Sequence, residues 1–497
     1  MSTSAAFNTG IRYLRMYLHA PGGDAQSPHA SAPGVGAVPR GGSPAPGRPS
    51  GGRRAIGYLS QYGDILRVSF DEAYIADPGR PTLSLAYRGA DEAATRAILA
   101  SARDTRVSRS DGHWPSYFQN LLPEGHNRER LAQQRGCAAD DEFELLAAAG
   151  HDLMGALEVE PVPTAEGIPD TVRHWHTALG LDVLEPGFVE MPVEDAAAIP
   201  GVVTKFSAVQ DGRRYVVRRH GLHSPEARLR LAAPQGGAPA LGRPGGELGS
   251  FILKLPSTRH PDLVDNEFTG YRLCGALGLD CAEASVIGRA DADLPEQVRF
   301  EHILAVRRFD RTPEGGRIHM EEFAQVLQYE PRQKYGRGLA VDWPAMLRVL
   351  DRLSPNPVAD VRECVRRIVA FILLGNSDAH LKNWALRYPD GVAPVLAPLY
   401  DPVCVAAFFE DVPAGDYGVN RAIDAKLRAF DWPALDALLR SAGLLRPARL
   451  MAIARDTVRQ AQAEWPALLA QDGTPASVRR CVKVRLAGGV ALASLAS

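Results

Sequence analysis

An apolar segment that runs directly into a polar turn limits the fold of this chain more than any other feature. Residues 368–374 are all apolar and Gly375 follows them, so the pattern predicts a buried helix that ends where the chain turns outward. Asp378 and Asn383 lie in that turn, and Asp401 follows downstream. In phosphoryl transferases a carboxylate accepts the proton of the incoming hydroxyl, while an amide and a second carboxylate hold magnesium. The sequence therefore predicts a catalytic loop, with Asp378 as the base and Asn383 and Asp401 as metal ligands.

A second interpretation of this run is a surface turn, because Asp and Asn side chains often satisfy backbone groups in turns. Two upstream residues favour the catalytic interpretation. Lys254 lies among apolar residues in a strand-like run, and Glu267 follows on a predicted helix. A buried lysine is costly unless it is paired, so we expect a Lys254–Glu267 pair that positions nucleotide phosphates. The alternative for Lys254 is a strand end from which the amine reaches solvent.

Composition and patterning divide the chain into four parts. Residues 1–54 are rich in Pro, Gly, Ser and Ala and are expected to form a disordered tail. Residues 55–165 are expected to form a small β-rich N-terminal subdomain. Residues 195–330 are strand-rich, with a Gly- and Pro-rich insertion at 225–249, and residues 331–497 are mainly helical. We therefore predict an α+β fold with two lobes, as in protein kinases, and a nucleotide held between the lobes.

Further residues are predicted to meet the nucleotide. Gly201 and Lys205 lie in the run that best fits a phosphate-covering loop, although its glycine spacing matches neither phosphate-binding motif. Arg307 and Phe309 end a predicted strand whose backbone would meet an adenine ring. His380 lies between the predicted base and the predicted amide ligand, and it is assigned to the nucleotide site as well.

Composition and charge argue against several classes of protein. The net charge is −2, and local arginine pairs are interpreted as solvated faces, so nothing points to nucleic acid or an anionic membrane. The six cysteines form no C-x-x-C pair, which argues against zinc and a disulfide framework and fits a reducing cytoplasm. Within the 497 residues no apolar run approaches the ~18 that a membrane span needs.

With these elements in place, the chain from residue 55 to residue 430 resembles the HipA family of serine/threonine kinases, the toxins of type II toxin–antitoxin systems. The motifs that carry the resemblance are, in chain order, Phe118–Gly125, Gly150–Leu157, Phe251–Pro256, Asn266–Glu267, Arg308–Arg311, Gly375–Asn383 and Pro398–Asp401. The resemblance implies ATP and Mg²⁺ as cofactors, with Asp378 as the base and Asn383 and Asp401 as magnesium ligands. It also implies Lys254 on the ATP phosphates and the backbone of residues 307–309 around adenine.

The resemblance implies partners as well. The substrate would be a protein, a component of translation whose phosphorylation halts growth. A small HipB-like helix-turn-helix antitoxin would restrain the kinase, and DNA would be reached only through that antitoxin. No membrane contact is expected.

One stretch departs from the family pattern. Members of the family commonly carry serines shortly before the phosphate loop, and their autophosphorylation switches the kinase off. Ala198 and Pro200 stand at the matching positions, and Val203 replaces a glutamine. We therefore expect this self-inactivation to be absent, or moved to Thr204 or Ser207.

Three functions remain open on the sequence. The first is an ATP- and magnesium-dependent serine/threonine protein kinase that acts as a HipA-like toxin. The second is a nucleotide-binding scaffold with little turnover, since the phosphate loop lacks the family's side chains. The third is a small-molecule kinase, which would use the same acid and amide chemistry.

Overall fold

The structure is a computed structural model. It describes residues 10–21, 52–162, 167–182, 184, 187–193, 196–199, 204–217, 249–256, 259–294, 298–409 and 421–495. Gly201, residues 225–248 of the predicted insertion, and residues 1–9 and 22–51 of the predicted tail lie outside the described residues.

The N-terminal subdomain is built on a five-stranded antiparallel sheet with the strand order β4-β3-β2-β1-β5. Its strands are β1 (Arg12–His19), β2 (Arg53–Tyr62), β3 (Ile65–Phe70), β4 (Ser108–Arg109) and β5 (Leu157–Pro161). Helices pack on this sheet, and together they enclose a hydrophobic core that includes Trp114, Phe118 and Phe143. The small β-rich subdomain therefore has the architecture that the sequence predicts.

Strand β1 corrects the prediction that residues 1–54 form a disordered tail. It pairs with β2 on one side and β5 on the other. Leu14, Met16 and Leu18 alternate along it and are buried in the core, as expected for a strand with one apolar face. Arg15 lies on the opposite face, where it donates to Asp71 at 2.7 Å. Arg15, which interrupts the apolar residues of β1 in the sequence, thus belongs to the second face of the strand.

A second, six-stranded sheet has the order β10-β7-β6-β8-β11-β9 and is antiparallel except for the β10–β7 pair. Its strands are β6 (Lys205–Asp211), β7 (Arg214–Val217), β8 (Phe251–Lys254), β9 (Ala284–Gly288), β10 (Ala292–Asp293) and β11 (His302–Arg307). The register places Lys205 directly opposite Lys254 on the neighbouring strand. Strand β11 ends at Arg307 rather than at the predicted Phe309, although the Arg308 amide still donates to the carbonyl of Ser250 at 2.9 Å, next to the Arg307–Phe251 pair.

The rest of the chain is mainly helical and carries a three-stranded sheet, β12-β13-β14, over His319–Glu322, Ala385–Tyr388 and Val395–Leu396. The helix Pro357–Leu374 lies at the centre of the largest core, where its residues from Ile368 to Leu374 are buried. It ends at Gly375, which adopts a left-handed φ of 83°. The buried helix that the apolar run predicts is therefore present, and it presents the following turn to the cleft described below.

The described helices are Glu72–Ala76, Glu92–Leu99, Ser116–Gln119, Gly125–Arg135, Glu142–Ala149, Asp170–Arg173, Leu263–Ala276, Phe323–Val326, Leu339–Leu353, Pro357–Leu374, Arg421–Ala429, Trp432–Ser441, Pro447–Leu469 and Ala476–Val484. Shorter helical turns lie at Leu85–Tyr87, Thr177–Leu179, Arg289–Asp291, Pro331–Gln333, Leu381–Asn383, Val405–Phe408, Arg485–Gly489 and Ala491–Ala493. Within the described ranges, no helix combines the length and the apolar character needed to cross a membrane.

A buried ion network ties the N-terminal subdomain to the six-stranded sheet. Asp152 accepts a hydrogen bond at 2.9 Å from both Arg308 and Arg311. Asp310 accepts one at 2.8 Å from each of the same two arginines. Two of the family-like motifs, 150–157 and 308–311, therefore act together as the contact between domains, and Met154 and Phe309 from these motifs also line the cleft described below.

Candidate active site

Lys254 lies at the centre of a buried charge cluster formed by three separate parts of the fold. Its Nζ is 2.6 Å from Oε1 of Glu267 and 2.5 Å from Oδ1 of Asp401. Lys254 ends strand β8, Glu267 is on the helix Leu263–Ala276, and Asp401 follows the three-stranded sheet. Burial alone would lower the pKa of Lys254, but the two carboxylates more than offset it, so the pKa of Lys254 is raised. The predicted Lys254–Glu267 pair is thus formed, and the alternative of a solvent-directed lysine is wrong.

Asp401 is held in an uncommon backbone conformation, with φ at +61°. This left-handed conformation is rare for a side chain other than glycine and commonly marks a functional site. The amide of Asn376 donates to the Asp401 carbonyl at 3.2 Å. Burial would raise the pKa of the Asp401 carboxyl, but Lys254 and Lys205 override that effect and lower it. Asp401 is therefore an ionised carboxylate in the cleft, which is the form that can bind a cation.

The predicted catalytic loop folds around the backbone of Asp378. The side-chain amide nitrogen of Asn383 donates to the Asp378 carbonyl at 2.8 Å, and the Asp378 amide donates to Oδ1 of Asn376 at 3.2 Å. Because its nitrogen is engaged in this way, Asn383 is oriented with the amide oxygen as its remaining ligand atom. The Asp378 carboxylate accepts a hydrogen bond from the phenol of Tyr335. The loop thus fixes the relative positions of an acid and an amide, as the sequence predicts.

Burial sets the protonation of the loop's titratable side chains. It raises the pKa of Asp378 to about 6, although Lys334 and the hydrogen bond from Tyr335 act in the opposite direction. It lowers the pKa of His380 to about 3, so the imidazole is neutral near pH 7. His380 Nε2 lies 4.0 Å from the Asp378 carboxylate. A neutral imidazole at that distance is a neighbour of the base rather than its ionic partner.

These residues line one cleft with a volume of about 340 Å³ between the six-stranded sheet and the helical part. Of the predicted site residues, the cleft contains Lys205, Lys254, Glu267, Arg307, Phe309, Asp378, His380, Asn383 and Asp401. Its apolar wall includes Ile252, Val306 and Tyr400, which is suited to a flat aromatic ring. The Arg307 guanidinium turns to Glu283 at 2.8 Å, so its side chain is occupied on the sheet surface.

Of the two positions considered for a relocated self-inactivation switch, only Thr204 lines the cleft. The hydroxyl of Ser207 instead donates to Asp152 at 3.1 Å, within the contact between domains. Ala198, which stands where the family pattern has a serine, is buried in the core of the N-terminal subdomain.

Charged residues that were not predicted as site residues also line the cleft, among them Glu124, Glu322, Lys334 and Lys382. Lys382 donates to the Asn120 carbonyl at 3.1 Å across 262 positions of sequence. The motifs 118–125 and 375–383 contain Glu124 and Lys382, but neither motif indicates that the two meet. The N-terminal subdomain therefore contributes directly to the cleft.

The oxygen ligands of the cleft fit a magnesium ion that is held mainly by a nucleotide. Magnesium retains several waters and needs few protein ligands when phosphate oxygens are present. Asn383 and Asp401 supply one amide oxygen and one ionised carboxylate to the same cleft. Among the described residues, no cluster of three or more His, Cys, Asp or Glu side chains is arranged to hold a metal by itself. A metal that arrives with ATP is consistent with this donor set.

Two family models match the chain. The model of the HipA N-terminal domain matches residues 51–160, and that of the HipA-like C-terminal domain matches residues 197–465. A relative from Sinorhizobium fredii named "Putative kinase Y4dM" is 33% identical over 403 residues, which are 80% of this chain and 86% of the relative. The "Serine/threonine-protein kinase toxin HipA" of Shewanella oneidensis is 26% identical over 312 residues, which are 58% of this chain and 62% of that protein.

A solved structure has the same overall fold. It is the complex of HipA, HipB and operator DNA of the Shewanella oneidensis toxin–antitoxin system, and its matching chain has a TM-score of 0.57 and 20% identity. The match covers 88% of this chain and 95% of that chain. At this identity the likeness concerns the fold, and it agrees with the predicted two-lobed, kinase-like α+β architecture.

Proposed function

The chain belongs to the HipA family, and from that premise we propose that it is an ATP- and magnesium-dependent serine/threonine protein kinase that acts as a toxin. The observation that carries the proposal is the meeting of Lys254, Asp378 and Asp401 in one cleft. These three side chains come from three separate elements, and a scaffold that only binds a nucleotide has no need for a carboxylate base beside the phosphate site.

In the proposed reaction Asp378 accepts the proton of an acceptor hydroxyl while the hydroxyl oxygen bonds to the γ-phosphorus. The bond from that phosphorus to the β–γ bridging oxygen breaks, and ADP leaves. Lys254 neutralises charge on the phosphates, and Glu267 holds Lys254 in place. Asn383 and Asp401 would hold magnesium, which neutralises further phosphate charge when it is bound. Gly201, Lys205, His380 and the backbone of residues 307–309 are proposed to complete the nucleotide site.

We propose that the partners follow the family pattern. The matching solved structure contains HipB and operator DNA together with HipA, which supports a HipB-like antitoxin and contact with DNA through that antitoxin. The substrate would be a protein of the translation machinery. All six cysteines are free thiols, which suits a cytoplasmic location.

The test is phosphate transfer from labelled ATP with magnesium and cell lysate, with label located by mass spectrometry. We expect the chain to label a lysate protein on serine or threonine and Asp378→Asn to abolish this label. Asp351→Asn, at an exposed position on the helix Leu339–Leu353, is the matched control and should leave it intact. ATP binding without label on any protein would favour a scaffold, and label only on small molecules would favour a small-molecule kinase.

A further inference from the structure

Tyr271, on the helix Leu263–Ala276, holds the backbone of the proposed magnesium ligand Asp401. The Asp401 amide donates to the Tyr271 hydroxyl oxygen at 3.2 Å. The Tyr271 side chain is buried and lines the cleft. Burial raises the pKa of its phenol well above the usual value of 10, and Glu267 and Asp401 act in the same direction. Tyr271 therefore accepts this hydrogen bond as a neutral hydroxyl and adds no charge to the cluster around Lys254.

The left-handed backbone of Asp401 is what gives this hydrogen bond its importance. Among the described residues, only Asp401 and Gln328 have a positive φ without being glycine. Such a conformation persists only where the surrounding structure holds it. The Asp401 carbonyl accepts from the Asn376 side chain at 3.2 Å and from the Val403 backbone amide at 2.9 Å. Tyr271 therefore holds the amide side of this residue, and Asn376 and Val403 hold its carbonyl side.

The same helix also holds the residues that follow Asp401. The side-chain nitrogen of Asn266 donates to the Cys404 carbonyl at 3.1 Å, and its side-chain oxygen accepts from the Cys404 amide at 2.8 Å. A Cβ on Gly270 would lie 1.7 Å from the carbonyl oxygen of Pro402, so the helix can approach this closely only with glycine there. These contacts do not depend on the Tyr271 hydroxyl. Its loss is therefore expected to change the backbone of Asp401 locally, without release of the following segment.

We propose that Tyr271 is a positioning residue, which keeps the Asp401 carboxylate in the orientation that binds magnesium beside ATP. This inference rests on the proposed function, which assigns Asp401 as a magnesium ligand, and adds a residue that lies outside the catalytic loop. Rotation of the Asp401 backbone changes the direction of its Cα–Cβ bond and so moves the carboxylate. Loss of the Tyr271 hydroxyl permits that rotation and weakens metal binding without any change of charge in the cleft.

The test measures how much magnesium tightens the binding of a non-hydrolysable ATP analogue. Calorimetric titration gives the Kd of the analogue without and with magnesium, and the ratio of these two values reports the contribution of the metal. In Tyr271→Phe we expect this ratio to fall about three- to tenfold, because hydrogen-bond partners of a metal ligand orient it. The Kd without magnesium should stay within about twofold of the wild-type value, since the aromatic ring remains in place.

Tyr74→Phe is the matched control. Tyr74 is also buried and hydrogen-bonded to the backbone, where its hydroxyl donates to the Pro81 carbonyl at 2.7 Å, but it lies in the core of the N-terminal subdomain. This variant loses an equivalent hydroxyl and should keep the wild-type ratio. An equal fall of the ratio in Tyr74→Phe and Tyr271→Phe would mean that the effect is a general loss of stability, and it would overturn the inference.

Asp401→Asn separates an effect that passes through the Asp401 carboxylate from any other. Asparagine tolerates the left-handed backbone but lacks the charge that binds a cation. We expect the metal-dependent ratio to be lost in this variant and to fall no further when Tyr271→Phe is added. A further fall in the double variant would show that Tyr271 acts by another route, which contradicts the inference.

The outcomes also separate this inference from the proposed function. If magnesium tightens binding by the same factor in the wild type and in Tyr271→Phe, the positioning role alone is overturned. If magnesium has no effect on binding in the wild type, the assignment of Asp401 as a magnesium ligand fails and the inference fails with it. A rise in the Kd without magnesium as large as the rise with it would show damage to the whole cleft and would reject the positioning role. Thermal unfolding establishes that the compared samples are folded.

Discussion

Glu124 of the N-terminal subdomain lies 3.0 Å from the ammonium group of Lys382, the residue directly before the proposed magnesium ligand. The same ammonium is 3.1 Å from the Asn120 carbonyl and 3.4 Å from Glu322, and Glu124 is also 3.6 Å from Lys334. Burial would raise the pKa of Glu124, but Lys382 and Lys334 override it and lower the pKa to about 2. The N-terminal subdomain therefore supplies an ionised counter-charge to the catalytic loop.

Glu124→Gln is expected to reduce turnover while it preserves ATP binding. Glutamine keeps the volume of the side chain but removes the negative charge of one of the two carboxylates near the Lys382 ammonium group. This loss favours a shift of the short helix Leu381–Asn383. Because small displacements of catalytic groups are costly, we expect kcat to fall at least about tenfold and the Kd for ATP to change by less than about twofold.

Steady-state phosphate release and calorimetric ATP titration measure these two quantities for Glu124→Gln. The matched control is Glu129→Gln, because the Glu129 side chain is 72% exposed on the adjoining helix. An unchanged kcat in Glu124→Gln would show that the subdomain contact is structural only.

The parts of the site that could be predicted from the sequence are those with a local signal. Lys254 interrupts an apolar strand, so burial and the need for a partner are both evident, and Glu267 is the acid on the next helix. The helix Pro357–Leu374 has a long apolar run and a terminal glycine. In such cases hydrophobic periodicity and the free-energy cost of burying a charge are enough to predict the element or the pair from the sequence.

Contacts between distant segments carry no such signal. Asp152 and Arg308 are 156 positions apart, and nothing in either motif identifies the other as its partner. Strand β1 was obscured because Arg15 interrupts its apolar run, and its pairing partners β2 and β5 are far along the chain. Tyr335 lies in a glycine-rich loop, and only the folded chain brings it to Asp378.

Lys254→Met is expected to abolish most phosphoryl transfer. The change removes the cation that separates Glu267 from Asp401 and leaves a buried and a partly exposed carboxylate without it. We expect kcat/KM for ATP to fall at least about 100-fold, the scale seen when a preorganised charge at the reacting group is lost. Lys426→Met, on an exposed face of the helix Arg421–Ala429, should retain wild-type kcat/KM in the same assay. Wild-type activity in Lys254→Met would exclude a role for Lys254 at the phosphates.

The stability of the fold is expected to fall in acid because His319 is buried in its neutral form. His319 Nε2 lies 2.7 Å from the Leu83 carbonyl, and Nδ1 accepts from the Ala156 amide at 3.3 Å. Burial lowers the pKa of His319 to about 4 from an unfolded value of about 6.5. Its contribution is therefore complete above pH 6.5 and is lost as the pH falls toward 4, by at most about 3 kcal/mol.

Urea unfolding at pH 7.5 and at pH 5 measures this dependence. His319→Gln removes the titrating ring, so the variant should be less stable at pH 7.5 but should lose less stability between the two pH values than the wild type. Equal losses in the two proteins would place the acid sensitivity elsewhere.

Arg308→Met and Arg307→Met should differ sharply in stability although the two arginines are neighbours. The Arg308 side chain is 0% exposed and pairs with Asp152 and Asp310 in the contact between domains, whereas the Arg307 side chain is 41% exposed and pairs with Glu283. Removal of one partner from a buried ion network leaves its carboxylates uncompensated and costs about 3–5 kcal/mol, while loss of an exposed pair costs about 0–1 kcal/mol. Chemical unfolding of both variants beside the wild type measures the difference. Similar free energies of unfolding for the two variants would mean that the Asp152–Arg308 network does not hold the N-terminal subdomain on the six-stranded sheet.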